Sequence, residues 1–354
     1  MGFVSSMGGD KALRVEESLG DGFVRLRVSE AERRQAAHDV RCIEDALIEL
    51  LRNARDAGAR QIYVATAREG DRRTLVVLDD GSGVPAEMHE RVFEARVTSK
   101  LDSVHMDHWG VHGRGMALFS IRENAVSAKI VSSAPGKGSA ICVVSDASAL
   151  PERADQSSWP QVGADEDGGV CCVRGPHNLV RTCCEFALEE RGVCELYYGS
   201  PAEIVATARA RAPQSVKGSD LLLLSSLDEL PVIERLRASA DARELREQAA
   251  SLGLEMSERT AHRIVSGEIQ PQKSVLSRLM PGRGGDEAPS REIDLMRDRR
   301  GLKVAPSDME EFTLLMERDF SLLAERYYLS LSSRPRVRVS GQRVVVTFEL
   351  ASTD

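Results

Sequence analysis

The stretch Glu49–Ala59, ELLRNARDAGA, decides the reading of this chain. It closes a run with helical period from Ser29 to Ala57. Within it Ile43, Leu47, Leu50, Leu51 and Ala54 fall on one face, and Gly58 stops the helix. Glu49, Asn53 and Asp56 recur at i, i+4 and i+7 and share one stripe of that helix. Asn53 borders the apolar face, which predicts that it lines a cleft. An amide oxygen is a neutral ligand for a hard cation such as Mg²⁺. A carboxylate one turn earlier can orient and deprotonate a water. A polar edge on a surface helix has the same spacing, so the stripe needs support from elsewhere.

Working outward, Gly22–Val28 alternates like a half-exposed strand, and Gln61–Ala67 and Thr74–Leu78 read as strands. The loop DDGSGVP, Asp79–Pro85, follows directly. An Asp at a strand end, with Gly81 and Gly83 behind it, lets backbone approach a flat ligand, and a buried carboxylate there accepts from an exocyclic amine. An ordinary Asp-Gly turn has the same letters. Ala86–Ala95 is expected to be a short helix. A second glycine-rich loop, Gly110, Gly113 and Gly115, opens a helix from Met116 to Glu123. Its exposed N–H groups and the helix dipole favour phosphate. Ala128–Ser132 and Ser139–Val144 complete an α/β sandwich with mixed, mostly antiparallel strands.

The order of these pieces resembles the GHKL ATPase superfamily of gyrase, the heat-shock chaperone ATPase, histidine kinases and MutL. The series runs E…N…D on a helix, D-x-G-x-G, Thr-Ser-Lys, and G-x-x-G-x-G before a helix, over about residues 40–145. The resemblance implies a Bergerat-type ATP-binding domain that uses ATP and Mg²⁺. It gives Glu49 the water-activating role, Asn53 the magnesium, and Asp56 the second acidic position of that motif. It gives Asp79 the adenine, with Gly81 and Gly83 shaping the pocket floor. Thr98, Ser99 and Lys100 fall to the phosphates, and Gly110, Gly113, Arg114, Gly115 and Met116 to the lid. Ser139 stands where the family usually has a Thr. The segment VFEARVTSK resembles both the histidine-kinase and MutL branches. His38-Asp39 lies too close to Glu49 for a phosphoacceptor hairpin, which argues against a sensor kinase.

Composition narrows the class. The chain has 354 residues, 42% hydrophobic and 29% charged, and a net charge of -8, so it is not wholesale disordered and does not coat nucleic acid over its whole surface. No apolar run is long enough for a membrane span, and the start MGFVSSMGGD lacks a signal core, so the expectation is a cytoplasmic protein with no membrane. Seven cysteines without a leader read as reduced thiols. Cys171, Cys172, Cys183, Cys184 and Cys194 lack C-x₂-C spacing and are expected as buried thiols rather than zinc ligands.

Beyond the sandwich the fold class is α+β: a mainly helical C-terminal region ends in a β-hairpin. The expected organisation is a flexible tail at 1–20, the ATP-binding domain at 21–150, and a linker with a small α/β segment at 151–225. A helical part follows at 226–285, and a helix with hairpin at 286–354. Leu245–Pro271 resembles a helix-turn-helix, with Ser257 capping a second helix that bears Arg259, His262 and Arg263. A plain helical pair reads equally well. The leading expectation is an ATP-hydrolysing, homodimeric protein with nucleotide-driven lid closure, coupled to an effector region that touches DNA. The alternatives are a histidine kinase-like or anti-sigma-like protein kinase, and a nucleotide-sensing DNA-binding regulator with little turnover.

Overall fold

Two short strands, β1 (Val15–Gly20) and β2 (Phe23–Leu26), pair antiparallel ahead of the helices α1 (Glu30–Ala36) and α2 (Ile43–Asp56). These come from a computed structural model, which describes residues 15–36, 38–99, 105–107, 110–112, 115–153, 155–164, 170–215, 224, 226–280, 306–327, 329–340 and 343–351. The single helical run expected over Ser29–Ala57 is thus two helices. Tertiary hydrogen bonds hold the chain between them out of helical geometry. Val40 N–H donates to Ser120 Oγ at 3.1 Å, and Ile43 N–H donates to the Pro151 carbonyl at 3.1 Å.

The central sheet follows from two-residue alternation. β3 (Gln61–Glu69) sends Ile62 and Val64 to one face and Tyr63 and Ala65 to the other. β4 (Arg72–Asp79) does the same with Leu75 and Val77 against Val76 and Leu78. All eight are buried, so both faces of the sheet must be covered. Pro85 and the following residues form two 3-10 turns, Ala86–Met88 and Arg91–Phe93, where one short helix was expected. Each is closed by i→i+3 bonds such as Glu94 N–H to the Arg91 carbonyl at 2.9 Å, and together they bury Met88, Val92 and Phe93. β5 (Val97–Thr98) then pairs with β2, and β6 (His105–Asp107) pairs with β7 (Gly110–His112). α3 (Ala117–Asn124), β8 (Ser127–Ser133) and β9 (Ser139–Asp146) complete the expected sandwich.

After β9 the chain does more than link. β10 (Gln161–Ala164) and β11 (Val170–Arg174) form a hairpin, and α4 (Leu179–Glu189) packs on α2. β12 (Glu195–Gly199), unread in the sequence, adds a parallel pairing to a main sheet that is otherwise antiparallel among the described residues, in the order β12-β3-β4-β9-β8. Its Leu196 and Tyr197 continue the two-faced alternation. α5 (Pro201–Arg211) starts at once, with Ser200 and Glu203 in a capping box and Pro201 at its first position.

The helices α6 (Val232–Ala238), α7 (Ala242–Ser251) and α8 (Glu258–Val265) join α5 on the second sheet face. Ile204, Val205, Leu236, Leu245, Leu252 and Ile264 bury against Tyr63, Val76, Leu78 and Cys142 there. Each such large apolar side chain contributes about 1.5–3 kcal/mol. Together the six contribute about 9–18 kcal/mol, as much as the roughly 5–15 kcal/mol that holds a domain folded, so the layer is integral to the domain. α9 (Val275–Leu279) returns to the first face. Met1–Asp286 accordingly clusters as one compact unit.

A second unit, Glu287–Asp354, contains α10 (Pro306–Tyr327) and the expected hairpin of β13 (Arg336–Ser340) and β14 (Arg343–Thr347). Phe320 stacks on Phe348 with ring centroids 4.9 Å apart. The apolar stretch 221–223 and the glycine-rich 282–289 lie outside the described residues. No described helix is long and apolar enough to cross a membrane.

Candidate functional site

A cleft of about 710 Å³ opens beside α2, at the ends of β4 and β9. It gathers Glu49, Asn53, Asp56, Asp79, Gly83, Thr98, Ser99, Gly115, Met116 and Ser139 along one wall system. Residues spread over ninety positions thus converge, because α2 lies on the sheet face where β4 ends beside the start of β9, with Asp79 paired to Ser139. Gly81 stands just behind the wall. A Cβ there would meet the Ala57 Cβ at 2.8 Å and the Asp79 carboxylate at 2.9 Å. Lys100, Gly113 and Arg114 lie outside the described residues, and of Gly110 only the backbone, at the start of β7, is described.

Asp79 is 4% exposed. One carboxylate oxygen accepts from the Gly81 N–H at 2.8 Å, the other from the Ser139 hydroxyl at 2.5 Å. Burial pushes its pKa up, and these two hydrogen bonds oppose the rise without cancelling it. The floor below it requires glycine at two places. At Gly83, φ is +68° and a Cβ would stand 2.0 Å from the Ala134 carbonyl oxygen. At Gly138, φ is +75° and a Cβ would stand 2.0 Å from the Asp79 carbonyl oxygen. The turn 134–138 therefore presses directly on the Asp79–Gly83 loop. Neighbouring Asp80 is structural, accepting from the Arg60 and Gln61 N–H groups at 2.7 and 2.8 Å.

On α2 the three polar positions differ. The Asn53 side-chain nitrogen is buried and has no hydrogen-bond partner. Glu49 pairs with the buried Arg52 guanidinium one turn on. Asp56 pairs with Arg55, which also reaches Glu190 on the chain after α4 at 2.8 Å. The unpartnered Asn53 nitrogen calls for an acceptor such as a phosphate oxygen, and the amide oxygen, flanked by two carboxylates on one helix stripe, is a fitting ligand for a Mg²⁺ bound with that phosphate.

Sequence reasoning passed over Arg52, Arg96 and Arg153, which also line the cleft. Arg153 reaches it by bonding Asp45 at 2.5 Å and the Cys42 sulfur at 2.9 Å. Arg52 and Arg96 sit inside the quoted motifs themselves, so their positions were the available signal.

Residues 40–159 match the family described as histidine kinase-, DNA gyrase B- and HSP90-like ATPase. This part of the chain is a GHKL domain. Its relatives include the DNA mismatch repair protein MutL of Thermus thermophilus, 42% identical over 86 residues, and that of Chelativorans sp., 45% identical over 73 residues. The Thermus match covers 23% of this chain and 15% of the relative, so the chain spans only a small part of the length of the MutL proteins it resembles. Among solved structures, the mycobacterial sensor histidine kinase MprB aligns over 35% of this chain and 75% of its own, with 18% identity and a TM-score of 0.22.

The other singled-out residues lie away from the GHKL cleft. Arg259, His262 and Arg263 are exposed on α8, whose N-terminus Ser257 caps by accepting from the Thr260 N–H at 3.2 Å. Arg263 pairs with Glu268 at 3.1 Å, and His262 lies 3.9 Å from Glu258. Cys183 and Cys184 are fully buried, Cys171, Cys172 and Cys194 half-buried, and all are free thiols. Burial raises Cys172 and Cys194 to about 11, so neither is a thiolate at neutral pH. No cluster of metal-ligating side chains occurs among the described residues.

Proposed function

We propose that the cleft binds ATP with Mg²⁺ and that the domain hydrolyses it. The observation that carries this reading is the buried Asp79 carboxylate in one cleft with the buried, unpartnered Asn53 amide. A buried carboxylate next to two glycines is suited to accept from the adenine amine. Asn53 would hold the Mg²⁺ through its amide oxygen. The ion supplies charge neutralisation at the phosphates. Thr98, Ser99 and the N-terminus of α3 behind Gly115 and Met116 offer hydroxyl and N–H donors to the same phosphates. Glu49 orients and deprotonates the attacking water once its carboxylate turns from Arg52. Lid closure and nucleotide-dependent homodimerisation belong to the same proposal.

The test is ATP labelled on the terminal phosphate. Release of free phosphate is expected, with no label kept on the protein. Glu49→Ala should keep ATP binding and lose about 10²–10⁴ in turnover. Label retained on protein would favour phosphotransfer, and turnover within twofold of wild type would remove Glu49 from the role.

A second reading concerns α8. Its exposed Arg259, His262 and Arg263 favour a DNA-contacting face. That face is carried on the back of the ATP-binding sheet rather than on a tethered module.

A further inference from the structure

Arg96 is a conspicuous cation in the cleft. Its backbone is left-handed, with φ at +62°, a conformation that few side chains other than glycine adopt. Tertiary bonds impose it: Arg96 N–H donates to the Gly115 carbonyl at 2.8 Å, and its carbonyl accepts from Leu26 N–H at 3.0 Å. The residue thus ties β2 to the entry of α3, two positions before Thr98. The residue is only 8% exposed, yet it lines the cleft.

A guanidinium carries five N–H donors. Among the described residues, Arg96 uses one of its groups: Nη2 donates to Glu32 Oε1 at 2.9 Å, while Nε is buried with no partner at all. A structural arginine normally satisfies its donors on carbonyls, as Arg209 does with Leu236 and Ser239 at 3.1 and 2.8 Å. An underused, buried, permanent positive charge beside a helix N-terminus calls for an anion.

Glu32 keeps a second role when Arg96 leaves it. Its other oxygen accepts from the Ser29 N–H and hydroxyl at 2.9 and 2.8 Å, capping α1. When Arg96 turns to another acceptor, that cap remains. We propose that Arg96 is a polyphosphate contact of this cleft, held in waiting by Glu32, and that phosphate binding draws it off α1. This rests on the nucleotide reading above and adds a residue to it.

The experiment is calorimetry of ATP and of adenosine, which shares the base but has no phosphate, on wild type, Arg96→Gln and Glu32→Gln. Arg96→Gln is expected to weaken ATP about tenfold or more, the effect of one lost charge-assisted bond, and to leave adenosine within about twofold. Glu32→Gln keeps the α1 cap through its amide oxygen and removes the competing carboxylate, so ATP should tighten severalfold with adenosine unchanged. Thermal unfolding checks each variant, and if Arg96→Gln does not fold, Glu32→Gln alone decides, since it leaves Arg96 in place. Equal losses for ATP and adenosine, unchanged ATP affinity in Arg96→Gln, or weaker ATP in Glu32→Gln would each make Arg96 a structural tie only. A wild type that binds neither ligand would instead overturn the nucleotide reading itself, and this proposal with it.

Discussion

Asp79→Asn separates what the carboxylate does for the ligand from what it does for the fold. In the free protein the side chain accepts from Gly81 N–H and from the Ser139 hydroxyl. The amide oxygen of Asn can keep the first contact, because a backbone N–H cannot reverse its role. The amide nitrogen then faces Ser139, whose hydroxyl can rotate to accept. Both contacts survive, and a buried charge is removed. An adenine amine reaching the same spot meets a second donor instead of a carboxylate. One charge-assisted bond is lost, about 1.5–3 kcal/mol, and one buried donor goes unpaired, about 1–3 kcal/mol. ATP affinity should fall about 10²–10⁴-fold.

Stability should move the other way. The folded pKa of Asp79 lies above the ordinary 3.8, mainly through burial. The folded state therefore holds this proton more tightly than the unfolded chain does. Its contribution to stability is full below the ordinary value and is lost as pH rises through the raised one. Asn has no such loss, so the variant should be at least as stable as wild type at neutral pH, and its melting temperature should lack that decline. Calorimetry with ATP and thermal unfolding across pH read the two effects separately. A folded variant with unchanged ATP affinity would refute the adenine assignment.

Gly83→Ala should destabilise the fold by at least about 1–3 kcal/mol from backbone strain alone, since its Cβ would stand 2.0 Å from the Ala134 carbonyl oxygen; an unchanged melting temperature would contradict this. Asn53→Ala should abolish the gain in ATP affinity that Mg²⁺ gives over EDTA, as read by calorimetry, and a retained gain would place the ion elsewhere. Replacing Arg259 and Arg263 together by Ala should lower the salt dependence of DNA binding by about two charges and leave ATP hydrolysis without DNA unchanged. Absence of DNA affinity in the wild type at low salt would leave the two arginines as surface ion-pair partners, such as Arg263 with Glu268.

The sandwich was legible because its signals are local. α2 carries helical period, β3 and β4 are apolar runs, and the loop glycines are forced by close backbone approaches that sequence marks directly. Glu49, Asn53, Asp79 and Ser139 were brought into one site by the order in which their motifs resemble the GHKL family, not by any local signal. β12 was missed because its identity is set by a distant partner, whereas α5 carried a local signal, the Ser200–Glu203 capping box with Pro201, that was passed over. Glu195–Gly199 is five residues long, and it is a strand only because it lies parallel to β3. The helical region was read as a separate effector for a similar reason. Leu236, Leu245 and Leu252 look like a self-contained helical core in sequence, whereas their partners are Tyr63, Val76 and Leu78, far earlier in the chain. Arg96 was passed over because its significance depends on a positive φ and on unspent donors, which sequence does not display.

The most direct measurement is a crystal structure of the chain with Mg²⁺ and a non-hydrolysable ATP analogue. The account predicts the adenine amine within about 2.7–3.2 Å of an Asp79 carboxylate oxygen, and the Asn53 amide oxygen on the metal. A nucleotide bound outside this cleft, or seated in it with its base away from Asp79, would contradict it.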